Sequence, residues 1–147
     1  MRKIERIIVH CTATNQNYTI TQLLHDFTSR GWKTPGYHYI VEADGNITQL
    51  VDESHVSNGV KGYNSTSINI AYMGGVDQHK RGIDNRTPVQ REVLRNKLRE
   101  LHVKYPYAKI MGHRDLSPDT NHDGIIEPSE WIKMCPCFNA ATEYKDI

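Results

Sequence analysis

The 147-residue chain sets 18 Lys and Arg against 17 Asp and Glu, a formal net charge of +1, and 37% of its residues are hydrophobic. That size suits one domain able to bury roughly two-thirds of its unfolded surface. The balanced charge, with no basic stripe to collect phosphates, argues against a nucleic-acid partner. The first apolar run, Ile7-Ile8-Val9, stops at His10, too short for a signal-peptide core or a membrane span. The expectation is synthesis in the cytoplasm without a signal peptide, with any export depending on a helper.

Taken in chain order, residues 4–11 read as a short β-branched strand closed by His10 and Cys11. Thr19 caps a helix reaching about Arg30, with Leu23, Leu24 and Phe27 at helical spacing, and Gly31 stops it. Residues 37–42 and 47–52 form a hairpin around the turn sequence Ala43-Asp44-Gly45-Asn46. Residues 67–73 give another strand, ended by Gly74-Gly75, and a polar loop follows to about Arg86. Thr87-Pro88 opens a second helix whose apolar stripe is Val89, Val93, Leu94, Leu98, Leu101 and Val103. Residues 108–113 are a weaker strand, again closed by a histidine. Strands interleaved with helices predict an α/β (α+β) chain with a single mixed central sheet flanked by helices, one domain over 1–147.

The chemistry-bearing residues cluster in type though not in sequence. His10, His113 and the cysteine segment near the end supply imidazole and thiolate, the donors Zn²⁺ prefers; three protein ligands leave a fourth position for water. For any one of the eight histidines, a surface or hydrogen-bonded role is the plain alternative. Three cysteines are too few, and oddly counted, for a disulfide framework. Cys11, by strand alternation, points away from His10 and into the core.

Five blocks then carry a resemblance: Ile8–Thr14, Gly36–Val41, Lys61–Asn64 running on to Ser67-Ile68 and Gly74-Gly75, Gly112–Asp115, and Lys133-Met134-Cys135-Pro136. In this order they resemble the type-2 N-acetylmuramoyl-L-alanine amidases, zinc enzymes that include phage endolysins and the peptidoglycan recognition proteins. The resemblance spans about residues 4 to 138. It implies zinc held by His10, His113 and Cys135, with Cys137 a bystander, and Tyr37 and Lys133 as catalytic residues beside the metal. The implied substrate is the lactyl-amide bond between N-acetylmuramic acid and L-alanine of bacterial peptidoglycan. Lys61, Tyr63 and Asn64 would border the substrate groove and Thr12 would line the cleft, while His38, on the opposite face from Tyr37 by alternation, is either a substrate contact or a residue that packs and supports the site. Where relatives can carry a histidine two places before Lys61, this chain has Gly59. The implied setting is a monomer acting on the cell wall after holin-type or other release. A non-catalytic recognition module sharing the fold is the alternative; such modules typically lose the thiolate ligand.

A second metal pattern is independent of the first. Asp119 to Glu130 places Asp119, Asn121 and Asp123 at positions one, three and five of an EF-hand loop. Gly124 stands at six, Ile125 supplies a carbonyl at seven, and Glu130 closes at twelve. Calcium is the expected ion. An acidic turn held by Asx hydrogen bonds is the alternative, because the residues before it do not read as an incoming helix. The loop departs from the standard amidase pattern and is expected to be an insertion.

Overall fold

The computed structural model describes residues 2–147 and contains a five-stranded mixed sheet. Its strands are β1 (Arg6–Cys11), β2 (Tyr39–Val41), β3 (Ile47–Gln49), β4 (Ser67–Tyr72) and β5 (Lys109–Gly112), in the spatial order β3-β2-β4-β1-β5. β1 lies parallel to both β4 and β5, and β2 runs parallel to β4; only the β2–β3 hairpin is antiparallel. The Asp44-Gly45 turn closes that hairpin, with Gly45 at φ +89° and Asn46 N–H donating to Asp44 Oδ1.

Helices cover both faces. α1 (Ile20–Ser29) begins in a capping box in which Thr19 and Gln22 satisfy each other's backbone N–H groups. It lays Leu23 and Phe27 over Ile40, Ala71 and Met73. The expected contribution of Leu24 is absent: it sits on the outer side of the helix, about one-third exposed. α2 (Pro88–Lys104) uses the same device, Thr87 with Gln90, and packs Leu94, Leu98 and Leu101 on the opposite face. Val89 and Val103, expected on that stripe, are exposed. The buried partner in the first turn is instead Gln90, whose Nε2 donates to the carbonyls of Val41 and Met73. A short third helix, α3 (Ala140–Glu143), which the sequence pattern did not reveal, joins this face with Phe138 and Tyr144.

Alternation along β1 assigns its side chains. Ile7, Val9 and Cys11 enter the α2-side core, as expected for Cys11, so His10 lies on the α1 side. Because β1 and β5 are parallel, the ends that carry His10 and Gly112-His113 emerge together at the same edge of the sheet. Ligand sites in open α/β sheets form at such carboxyl ends.

Candidate metal centre

His10, on β1 and 1% exposed, His113, in the turn that follows β5, and Cys135, in the loop before α3, converge. One donor atom from each lies within 4.8 Å of the others. The two imidazole centroids are 5.0 Å apart in an edge-on arrangement. Cys135 is set by β1 itself: the Cys11 N–H donates to Cys135 Sγ at 3.1 Å, and Sγ is 3.8 Å from His10 Nδ1. Burial, with the nearby Lys133 charge, pushes the His10 pKa down to about 4 even though a hydrogen bond to Asn69 opposes it. Burial, His10 and Lys133 lower His113 to about 3. Both rings are therefore neutral at pH 7, with a nitrogen lone pair available, which is the state a metal ligand must have. Two imidazoles and one thiol in mutual reach fit a zinc donor set.

Tyr37 stands against His10, ring centroids 5.1 Å apart, and its Oη donates to the Cys11 carbonyl at 3.3 Å. Burial, then the Cys135 and Cys11 thiols, push its phenol well above the ordinary range, so it keeps its proton. Lys133 borders the same small hollow and also the larger groove beside it, a cavity of about 540 Å³. Lys61, Tyr63 and Asn64 line that groove together with Arg30 and Trp32, two residues that sequence reasoning passed over. The end of α1 offered the only signal for them, an arginine and a tryptophan flanking Gly31.

Thr12 lines the small hollow, its hydroxyl tied to Thr14 and to the Gly74 backbone. Of the two readings of His38, its burial favours the supporting one over a substrate contact. It is fully enclosed, with its ring between the Asn69 N–H, Ser57 Oγ and the His55 carbonyl, so it braces the site from behind and does not face a substrate. Cys137 lies half-buried with its Sγ 4.0 Å from Cys11 Sγ, outside the donor cluster.

The 119–130 loop gathers oxygens of Asp119, Asp123 and Glu130 within 4.8 Å of one another. Gly124 takes φ +83° at the sharp turn, and its N–H donates to Asp119 Oδ2 at 2.7 Å. Glu130 is already engaged: it accepts from Asn121 N–H at 3.3 Å and Thr120 Oγ1 at 3.1 Å, and from Glu127 N–H at 2.9 Å. Asp119 Oδ1 is buried without a partner. A single 3₁₀ turn, His113–Leu116, precedes the loop and another, Pro128–Glu130, forms its last three residues, in place of the two helices of an EF-hand.

Comparison with known proteins places this geometry. The family model described as N-acetylmuramoyl-L-alanine amidase matches residues 1–125, ending inside the acidic loop and short of Lys133 and Cys135. The endolysin of Klebsiella phage KP32 is 34% identical over 140 residues, covering 94% of this chain and 83% of its own length. That alignment's length carries the likeness beyond the point where the family match stops. The endolysin of Escherichia phage T7 is 33% identical over 137 residues, 92% of this chain and 82% of its own. Among solved structures, the N-acetylmuramoyl-L-alanine amidase LysC from Clostridium intestinale superposes with a TM-score of 0.74 at 25% identity, covering 97% of this chain and 82% of that one. Bumblebee PGRP-SA shares the fold, with a TM-score of 0.70 at 16% identity over 99% of this chain and 83% of its own. The chain belongs to the N-acetylmuramoyl-L-alanine amidase family, and its activity is that of an amidase.

Proposed function

We propose that residues 1–147 act as a single amidase domain that hydrolyses the bond between the lactyl group of N-acetylmuramic acid and L-alanine in bacterial peptidoglycan, with Zn²⁺ held by His10, His113 and Cys135. The supporting observation is the convergence of those three donors, both rings neutral, beside an open groove at the strand ends. When bound, zinc supplies a Lewis acid that polarises the scissile carbonyl and makes a water acidic enough to attack at neutral pH.

The chain's own residues do the rest. Tyr37 Oη, protonated because it is buried, offers a hydrogen bond to the carbonyl oxygen as negative charge develops there. Lys133 Nζ brings a cation to the same charge from the groove side and gives a proton to the departing L-alanine nitrogen. Lys61, Tyr63, Asn64, Arg30 and Trp32 line the groove that would take the glycan and stem peptide, and Thr12 borders the hollow where the bond is cut. The retained Cys135 favours this reading over a recognition module that binds without cutting. As in a phage endolysin, the protein would meet its substrate after release to the wall; among the described residues no helix is long and apolar enough to cross a membrane.

The test is release of new L-alanine amino termini from purified peptidoglycan. Loss with a chelator, return with Zn²⁺ and absence in Cys135→Ala support the proposal. Binding to the sacculus without cleavage in every sample would replace it with the recognition module.

A second reading concerns calcium in the 119–130 loop, favoured by the buried, partnerless Asp119 Oδ1 beside Asp123 and Glu130. There Ca²⁺ would order the connection between His113 and Cys135. Titration calorimetry with Ca²⁺ on the wild type and Glu130→Gln decides it; no heat in the wild type removes the idea.

A further inference from the structure

Behind His10 lies a buried polar chain of His38, Ser57 and Asn69, with Arg2 Nη2 3.2 Å from His38 Nε2 at its far end. The Asn69 N–H donates to His38 Nδ1 at 3.0 Å and His38 Nε2 faces the His55 carbonyl at 2.8 Å, an arrangement that leaves Nδ1 bare and Nε2 protonated. Ser57 Oγ lies 3.1 Å from His38 Nδ1. Asn69 Nδ2 donates to Ser57 Oγ at 2.8 Å. That orients the amide, leaving Oδ1 to face His10 Nε2 at 2.8 Å. His10 must therefore carry its proton on Nε2 and present a bare Nδ1 toward Cys135 Sγ.

We propose that Asn69 is a positioning residue that locks His10 in the Nε2–H tautomer and so prepares Nδ1 to bind the metal. The proposal rests on the zinc reading above and deepens it. Asn69, Ser57 and His38 are all fully buried, so water cannot substitute for a lost link.

Gly59 belongs to the same device. A Cβ built on Gly59 would lie 2.2 Å from Asn69 Oδ1 and 2.6 Å from Nδ2. No side chain fits at 59 while the amide holds His10, which gives a physical reason for glycine there. The space behind the metal ligand is filled from β4 in this chain, across the β1–β4 pairing.

The first variant is Asn69→Leu, similar in size and unable to accept a hydrogen bond. Zinc affinity, measured by competition with a chromophoric chelator, is expected to fall about 10- to 100-fold. Asn69→Asp keeps an acceptor facing His10 and is expected to stay within about threefold of wild type, since carboxylates serve this role elsewhere. Melting of the metal-free variants shows that each is folded. If Asn69→Leu does not fold, Ser57→Ala replaces it: the amide is then free to turn its Nδ2 toward His10, and zinc affinity should drop in a folded protein.

The second readout needs no metal. Long-range ¹H–¹⁵N spectra of the metal-free wild type should show His10 protonated at Nε2, with that preference lost in Asn69→Leu. A folded Asn69→Leu that binds zinc like wild type, or a wild-type His10 protonated at Nδ1, overturns the proposal. A wild type with the expected tautomer that binds no zinc overturns instead the metal reading on which it rests.

Discussion

The strand-end cluster and the 119–130 loop both gather metal-type side chains, yet their donors are held in opposite ways. At the strand ends, His10 is gripped through Nε2 by Asn69, and Cys135 Sγ is placed by the Cys11 N–H, so hydrogen bonding fixes the donors while the atoms facing the hollow stay free. In the loop, backbone N–H groups have taken the acidic oxygens: Glu130 serves Asn121 and Glu127, Asp119 serves Gly124, and Asp123 serves Ile125. Only Asp119 Oδ1 is left as a buried orphan. The difference teaches that a donor set is recognised less by residue type than by what has already claimed its lone pairs. A ring braced from behind is poised for a cation, whereas a carboxylate closing its own loop must first release its partners.

The comparison breaks most visibly under substitution. Cys135→Ala should lower amidase turnover by on the order of 10³-fold or more, because carbonyl polarisation and water activation depend on the same ion. Glu130→Gln, assayed at saturating zinc, should leave turnover near wild type. A Glu130→Gln loss as deep as that of Cys135→Ala would put the loop inside the catalytic machinery and erase the distinction. Next in size are Tyr37→Phe and Lys133→Ala, each expected to cut kcat about 10²- to 10³-fold with a smaller change in KM. Steady-state kinetics on a soluble muropeptide would show it; a change confined to KM would reassign them to substrate binding.

Acid sharpens the contrast in stability. His10 and His113 are held at about 4 and about 3, against an ordinary value of 6.5. As pH falls below 6.5 the unfolded chain takes up protons that the folded rings refuse, so the metal-free protein loses stability from about pH 6.5 down to about 4 through His10 and on to about 3 through His113. At pH 5 these two groups together would cost at most about 4 kcal/mol. The loop carboxylates Asp123 and Glu130, shifted down by hydrogen bonds, give way only at lower pH. Urea unfolding midpoints at pH 7 and pH 5 test this, and equal midpoints would contradict the burial of the two rings. The smallest expected effect is calcium's: a rise in melting temperature of a few degrees in the wild type, absent in Glu130→Gln. A shift of equal size in both would place the ion elsewhere.

Much of this was legible in the sequence because it is local. The apolar run into His10, the Thr19 and Thr87 caps and the Asp44-Gly45 turn each act through neighbours a few residues away, and all appear where expected. The three donors could be named only through the family resemblance, since eight histidines and three cysteines do not by residue type single them out. What stayed hidden was the support. Asn69 reads as one polar residue in an apolar strand, and its link to His10, 59 residues away, exists only once β1 and β4 pair. For His38, alternation put it on the face opposite Tyr37 but could not decide between support and substrate contact until the residue just before β2 was seen fully enclosed. Leu24, Val89 and Val103 show the reverse failing, since apolar spacing indicates a helix face but cannot say how wide a strip the sheet will cover.

The most direct measurement is X-ray absorption at the zinc edge of the purified, zinc-loaded protein. One sulfur at about 2.3 Å with two nitrogens and a light atom at about 2.0–2.1 Å would match His10, His113 and Cys135 with an open position. A shell of oxygen and nitrogen alone, or an unchanged spectrum in Cys135→Ala, would contradict the assignment of the strand ends as the metal centre.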